Sequence, residues 1–123
     1  MSNGTRTIWV VREIKKFDLA DMEEFGSITI AFPENVSPFD FQQQDMIFRR
    51  DIIPASSHND LIALVGPQLM LAHFVTLFAR NYERTHFLCY RPPKRRATPE
   101  EEAAGTGPKG SYVIRATGEL KPR

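Results

Sequence analysis

Asp60-Leu61-Ile62-Ala63-Leu64-Val65-Gly66 runs without a break into Pro67-Gln68-Leu69-Met70-Leu71-Ala72-His73-Phe74-Val75-Thr76-Leu77-Phe78. The first stretch is a short apolar run closed by glycine, the pattern of a strand buried on both faces. In the second, Met70, Phe74, Leu77 and Phe78 fall on one helical stripe, with Leu71 and Val75 beside it. Pro67 suits a first helical position, and the periodicity predicts a helix from Pro67 to Asn81. Thr85 to Arg91 is again apolar and reads as a strand. Strand, tight turn, helix and strand make a βαβ unit, whose two strands must lie parallel.

The same alternation extends upstream. Thr7-Ile8-Trp9-Val10-Val11-Arg12-Glu13-Ile14 reads as a buried strand. Asp18 is an N-cap candidate, Leu19, Met22 and Phe25 recur at helical spacing, and Gly26 is a stop signal. Ser27 to Phe32 is a second strand, ended by Pro33. Ser37-Pro38 marks the next helix start, and a helix of imperfect periodicity is expected from Phe39 to about Ile52. Downstream, Pro92 to Lys109 reads as a long, mobile, charged loop with Lys94-Arg95-Arg96 and Glu100-Glu101-Glu102. Ser111 to Arg115 is a last strand, expected antiparallel to the one before it, and the tail from Gly118 is expected to fray. The predicted fold is a single α/β domain over residues 1–120. It is a small three-layer Rossmann-like or flavodoxin-like sheet, mostly parallel, with one antiparallel edge strand.

Bulk composition sets outer limits. The chain has 123 residues, 41% hydrophobic and 25% charged, with a net charge of +1. That is the make-up of one globular domain without the basic excess of a dedicated nucleic-acid binder. The polar N-terminus and the lack of an apolar stretch near ~20 residues predict a cytoplasmic protein with no membrane partner. Cys89, the one cysteine, sits in the apolar run Phe87-Leu88-Cys89-Tyr90 and reads as a small buried hydrophobe. His58, His73 and His86 match no zinc spacing, so no metal is expected. No glycine-rich fingerprint or Walker lysine is present, so no cofactor is expected either.

In open α/β sheets ligands collect outside the carboxyl ends of the strands. Here that edge gathers Arg12 after the first strand, Gly66 and Gln68 at the turn into the best helix, and Arg91 at the end of the fourth strand. The free amides of a first helical turn and a guanidinium together suit a phosphate or carboxylate. The expected ligand site is therefore Gly66, Gln68, Arg91 and Arg12, with a nucleotide or another phosphorylated small molecule as its partner. A structural reading of the Gly66-Pro67 turn as simple packing competes with it. His58 is expected in a turn at the opposite, amino edge, His73 on the flank of the helical stripe, and His86 at the start of its strand.

Leu61-Ile62-Ala63-Leu64-Val65-Gly66-Pro67, then Phe87-Leu88-Cys89-Tyr90-Arg91-Pro92, then Tyr112-Val113-Ile114 resemble the small CRISPR-associated ring nucleases that cleave cyclic oligoadenylates. The resemblance covers residues 60–115. It implies a role in antiviral defence and a cyclic oligoadenylate ligand, but no catalytic residue of that family maps onto a position here. Two further readings differ in class. A phosphodiesterase would need a base, for which only His58, His73 and Glu83 offer themselves. An accessory protein of a phage or other mobile element would have no catalytic activity and would order the 92–109 segment on a protein partner. A free sheet edge is also a place where a homodimer could form.

Overall fold

The computed structural model describes residues 6–14 and 19–117. The expected cap at Asp18 and the tail from Gly118 lie outside them. Five strands form one sheet: β1 (Thr7–Val10), β2 (Ser27–Ile30), β3 (Leu61–Ala63), β4 (His86–Arg91) and β5 (Ser111–Ala116). Their order is β2-β1-β3-β4-β5. Neighbours are parallel except β4 and β5, which pair antiparallel with Tyr90 opposite Tyr112. This is the 2-1-3-4-5 order of flavodoxin-like sheets with its last strand reversed. Among the described residues no helix is long and apolar enough to cross a membrane.

Strand alternation divides the core into two layers. Trp9, Val11 and Ile62 point to the face covered by α1 (Phe41–Ile47) and α2 (Gln68–Asn81). Ile8, Val10, Leu61, Ala63 and Leu88 point to the other, where Met22 of a 3-10 helix over Leu19–Phe25 covers them. The helical stripe predicted from the sequence is the buried one: Met70, Phe74, Leu77 and Phe78. Phe74 lies at its centre, with the rings of Trp9, Phe32, Phe48 and Phe78 all within 6.4 Å. The contacts with Phe32 and Phe48 are edge-to-face, a geometry that adds about 0.5–1.5 kcal/mol per pair beyond burial.

Three local expectations change. The helix expected from Phe39 begins instead at Phe41, because Asp40 is the cap: its carboxylate accepts from the Gln43 amide at 3.1 Å. Ser37 and Pro38 form only the turn before it, with the Ser37 hydroxyl accepting from the Phe39 amide. The helix also does not run evenly to Ile52. It widens into a π-type turn over Phe48–Ile52 and tightens again at Ile53–Ala55, so that Phe48 and Ile52 both reach the core. The 92–109 segment is not all loop. Thr98 and Glu101 form a reciprocal capping box, Pro99 opens the turn and Gly105 closes it at φ 70°, giving α3 (Pro99–Ala104).

Strands β1 and β3 are tied together at their amino ends by Asp60. Its side chain is 3% exposed. It accepts four hydrogen bonds: from the Thr7 amide at 3.3 Å, the Trp9 indole at 2.9 Å, and the Ser57 amide and hydroxyl at 2.9 and 3.0 Å. Asp60→Ala leaves those donors buried and unpaired, at about 1–3 kcal/mol each before relaxation. A urea melt followed by Trp9 fluorescence is expected to lose about 3 kcal/mol or more. Asp60→Asn, which keeps the shape but turns an amide NH2 toward donors, should recover only part of the loss.

Candidate functional site

The carboxyl edge is built from the ends of β1, β3 and β4. Between β1 and β3 the strand order reverses, the usual place for a crevice in such sheets. Gly66 takes φ 117° there. A Cβ on it would lie 2.8 Å from Val11 Cγ2 and 3.9 Å from Ile14 Cδ1. Val11 and Ile14 thus occupy the space beside the turn, and Gly66 is needed both for its dihedral and for this close approach. Arg12 donates from Nη2 to the carbonyls of Glu34, at 3.3 Å, and Val36. Its guanidinium braces the chain that follows β2.

Gln68 and Arg91 are both exposed. Ala63 pairs with Leu88, the last pair of the two strands, and β4 runs on to Arg91. Arg91 also shares strand parity with Phe87, which packs among the residues under α2. Its side chain therefore stands on the face that α2 covers, where the first turn of that helix begins. Gly66 and Gln68 follow the carboxyl end of β3 and Arg91 ends its parallel neighbour β4, but neither Gly66 nor Gln68 lines the cleft that Arg91 lines, and Arg12 is turned toward the β2 side.

Arg91 lines a cleft of about 350 Å³ with Lys94, Arg95, Lys109 and the rings of Pro92, Pro93 and Pro108. The cleft forms where β4 and β5 diverge, since Arg91 pairs with Ser111. That pairing returns Lys109 to the side of Arg91, a neighbour that sequence spacing alone does not reveal. Arg95 is held in a two-pronged pair by Glu101, at 2.8 and 2.9 Å. Among the described residues no carboxylate pairs with Arg91, Lys94 or Lys109. Positive charges in a concave site without internal partners favour an anion. No imidazole or carboxylate belongs to the lining.

The histidines lie elsewhere. His73 Nδ1 is 2.8 Å from Gln44 Oε1, and its ring stacks on Phe41 at 4.0 Å. Burial pushes it below the usual histidine range, against the opposing pull of Asp45. His58 and His86 line a second cavity of about 400 Å³ at the amino edge, with Asn59, Glu83 and Arg84. Burial, then the charges of Arg6 and Arg84, lower His86. Cys89 is partly buried in β4. Among the described residues no three histidine, cysteine or carboxylate side chains are placed to hold a metal ion. No family model matches the chain, and neither a curated protein nor a solved structure matches it.

The Arg95 fork and the Thr98 amide together draw the Glu101 carboxyl from 4.5 down to about 2. A lowered carboxyl stabilises its folded surroundings fully above the ordinary value, and that contribution is lost as pH falls through about 2. A carbon-detected NMR titration should place Glu101 near about 2 and, in Arg95→Ala, move it back toward 4.5; equal midpoints in the two proteins would refute the clamp. At the other end of the edge, Gly66→Ala combines a strained dihedral with contact on Val11. It should cost about 1–3 kcal/mol in a denaturant melt.

Proposed function

We propose that this protein binds a nucleotide or another phosphorylated small molecule at the carboxyl edge of its sheet. The observation that supports the reading is the cleft at the end of β4, in which Arg91, Lys94 and Lys109 face a concave space with no carboxylate among the described residues to pair them. Its volume is at the lower end of small-ligand sites, about 300–1,000 Å³. The guanidinium offers a flat fork for phosphate oxygens, the two ammonium groups add mobile charge, and the proline rings give apolar walls for a base or sugar. A ligand reaching across to β3 meets the amides of the first turn of α2 at Gln68, which point out of the helix unpaired.

Binding is favoured over cleavage, because the lining has no imidazole or carboxylate that could take a proton at neutral pH. A ring-nuclease-like reaction would need His58, His73 or Glu83 at this edge. His58 and Glu83 line the amino-edge cavity, and His73 is engaged with Phe41 and Gln44.

Calorimetric titration at low salt with ATP, AMP and the unphosphorylated nucleoside tests the reading. Phosphorylated ligands should bind and the nucleoside should not. Arg91→Ala and Lys109→Ala should each weaken binding about tenfold, the loss of one charge-assisted contact of about 1.4 kcal/mol. Added salt should weaken it further. Absence of binding by either nucleotide, together with no effect of Arg91→Ala, would overturn the proposal. Cyclic oligoadenylate should remain intact; its cleavage would place the protein among the enzymes.

A further inference from the structure

Five residues surround the amino-edge cavity of about 400 Å³: His58, Asn59, Glu83, Arg84 and His86. They come from two turns and the start of a strand, and the backbone that carries them is pinned. His58 and Asn59 lie between Ser57 and Asp60. There the Asp60 amide donates to the Ser57 carbonyl at 3.1 Å, and the Asp60 carboxylate accepts from the Ser57 amide and hydroxyl. Glu83 and Arg84 lie between Tyr82, whose hydroxyl is 2.5 Å from that of Ser56, and Thr85, whose amide and carbonyl both bond to Thr117. His86 pairs with Leu61 on one side and Ala116 on the other. A frame fixed in this way loses little conformational freedom when a ligand enters.

Charge decides what the cavity suits. Arg84 lines it, and Arg6, Arg84 and His58 all repel a charge on His86. Glu83 is the one carboxylate of the lining. Asp60, two residues from His58, is already used by its own four donors. His86 Nδ1 is buried and has no hydrogen-bond partner among the described residues. Burial, then Arg6 and Arg84, hold the ring below the usual histidine range; the His58 backbone pulls the other way, and the His58 side chain adds to the lowering.

We propose that this cavity is an anion site, separate from the Arg91 cleft, and that it binds a tetrahedral dianion of the phosphate or sulfate type. The Arg84 guanidinium offers a fork for two oxygens, and the Asn59 amide and the two imidazoles offer further N–H donors. Binding carries a proton with it. An anion offsets the repulsion that keeps His86 neutral, and the imidazolium then holds the anion in return. By linkage, affinity rises as pH falls through the histidine range and is lost as pH rises above it. Glu83 opposes the anion. The site stands whether or not the Arg91 cleft takes a nucleotide.

Sulfate is the probe, because it stays doubly charged across the histidine range, whereas phosphate gains a proton there. Proton NMR of the histidine rings in the whole chain follows sodium sulfate titrations at about pH 5.5 and about pH 7.5, with sodium chloride at equal ionic strength as reference. His58 and His86 should shift and saturate with sulfate but not with chloride. Binding at the lower pH should be about tenfold tighter. His73, engaged with Gln44 and Phe41, should not move. These rings report on this site alone, since no imidazole lines the Arg91 cleft. Arg84→Ala should weaken sulfate binding about tenfold, and the exposed change Glu83→Gln should tighten it about threefold. No saturable shift at either pH overturns the proposal, as do equal shifts with chloride or a Glu83→Gln protein that binds no more tightly. Equal affinity at the two pH values overturns the part given to His86.

Discussion

A carboxylate buried without a cation is costly unless its oxygens are fully used. Asp60 meets that condition with donors drawn from two places, the Ser57 turn that precedes β3 and the backbone and indole of β1. The result is more than local satisfaction. Thr7 and Trp9 are bound to the residue that opens β3, so β1 and β3 can pair in only one register, Ile8 against Leu61. With period-two alternation, a slip of one residue would turn Trp9 away from Phe74 and put Ile8 in its place. One buried acid therefore decides which side chains of the central strands face α2. Ser56 extends the clasp to the end of α2, with its hydroxyl 2.5 Å from that of Tyr82.

With β1 and β3 pinned at their amino ends in this way, the carboxyl edge is arranged by different contacts. There the chain after β1 turns over Gly66, and Arg12 crosses to the carbonyls beyond β2. The region where strand order reverses is filled by Val11 and Ile14. The open concave surface has moved to the other side of β3, where β4 and the reversed β5 separate around a long excursion. Reversal of the last strand is what makes this possible. A parallel fifth strand would need a crossover helix over one face, whereas the antiparallel return leaves its connection free to project from the edge. The capping box at Thr98 and the Arg95–Glu101 pair give that excursion a fixed shape near its cationic root.

Much of this was legible from the sequence because it rests on local periodicity. The strand from Leu61, the stripe Met70, Phe74, Leu77 and Phe78, and the antiparallel last strand all depend on residues close in the chain. The start of α1 was not, because two capping signals compete there. Ser37-Pro38 and Asp40 each satisfy the local rule, and the choice falls to Asp40 because Gln44 must reach both the Ser37 carbonyl and His73. α3 was hidden by composition: prolines and a charge run suggest a loop, although Thr98-Pro99-Glu100-Glu101 already contains a complete helix start. Gly26 follows directly on the 3-10 helix, where the sequence places its stop, and it carries a second constraint that no local pattern shows: a Cβ there would lie 2.3 Å from the Arg6 carbonyl. The Trp9–Asp60 bond joins residues too far apart in the chain for any local pattern to show it.

The candidate site divides along the same line. Gly66, Gln68 and Arg91 could be placed at one edge because the strand-turn-helix order fixes where each strand ends. The partners of Arg91 could not, since Lys109 reaches it only through the pairing of Arg91 with Ser111. Arg12 shows the converse. Its position at a strand end is that of a ligand-binding arginine, yet its Nη2 meets carbonyls of its own chain, and sequence cannot distinguish those acceptors from a phosphate. Charge at an edge stays open to an anion only where the fold leaves it unpaired, and among the described residues Arg91, Lys94 and Lys109 at the root of the β4–β5 excursion have no carboxylate partner.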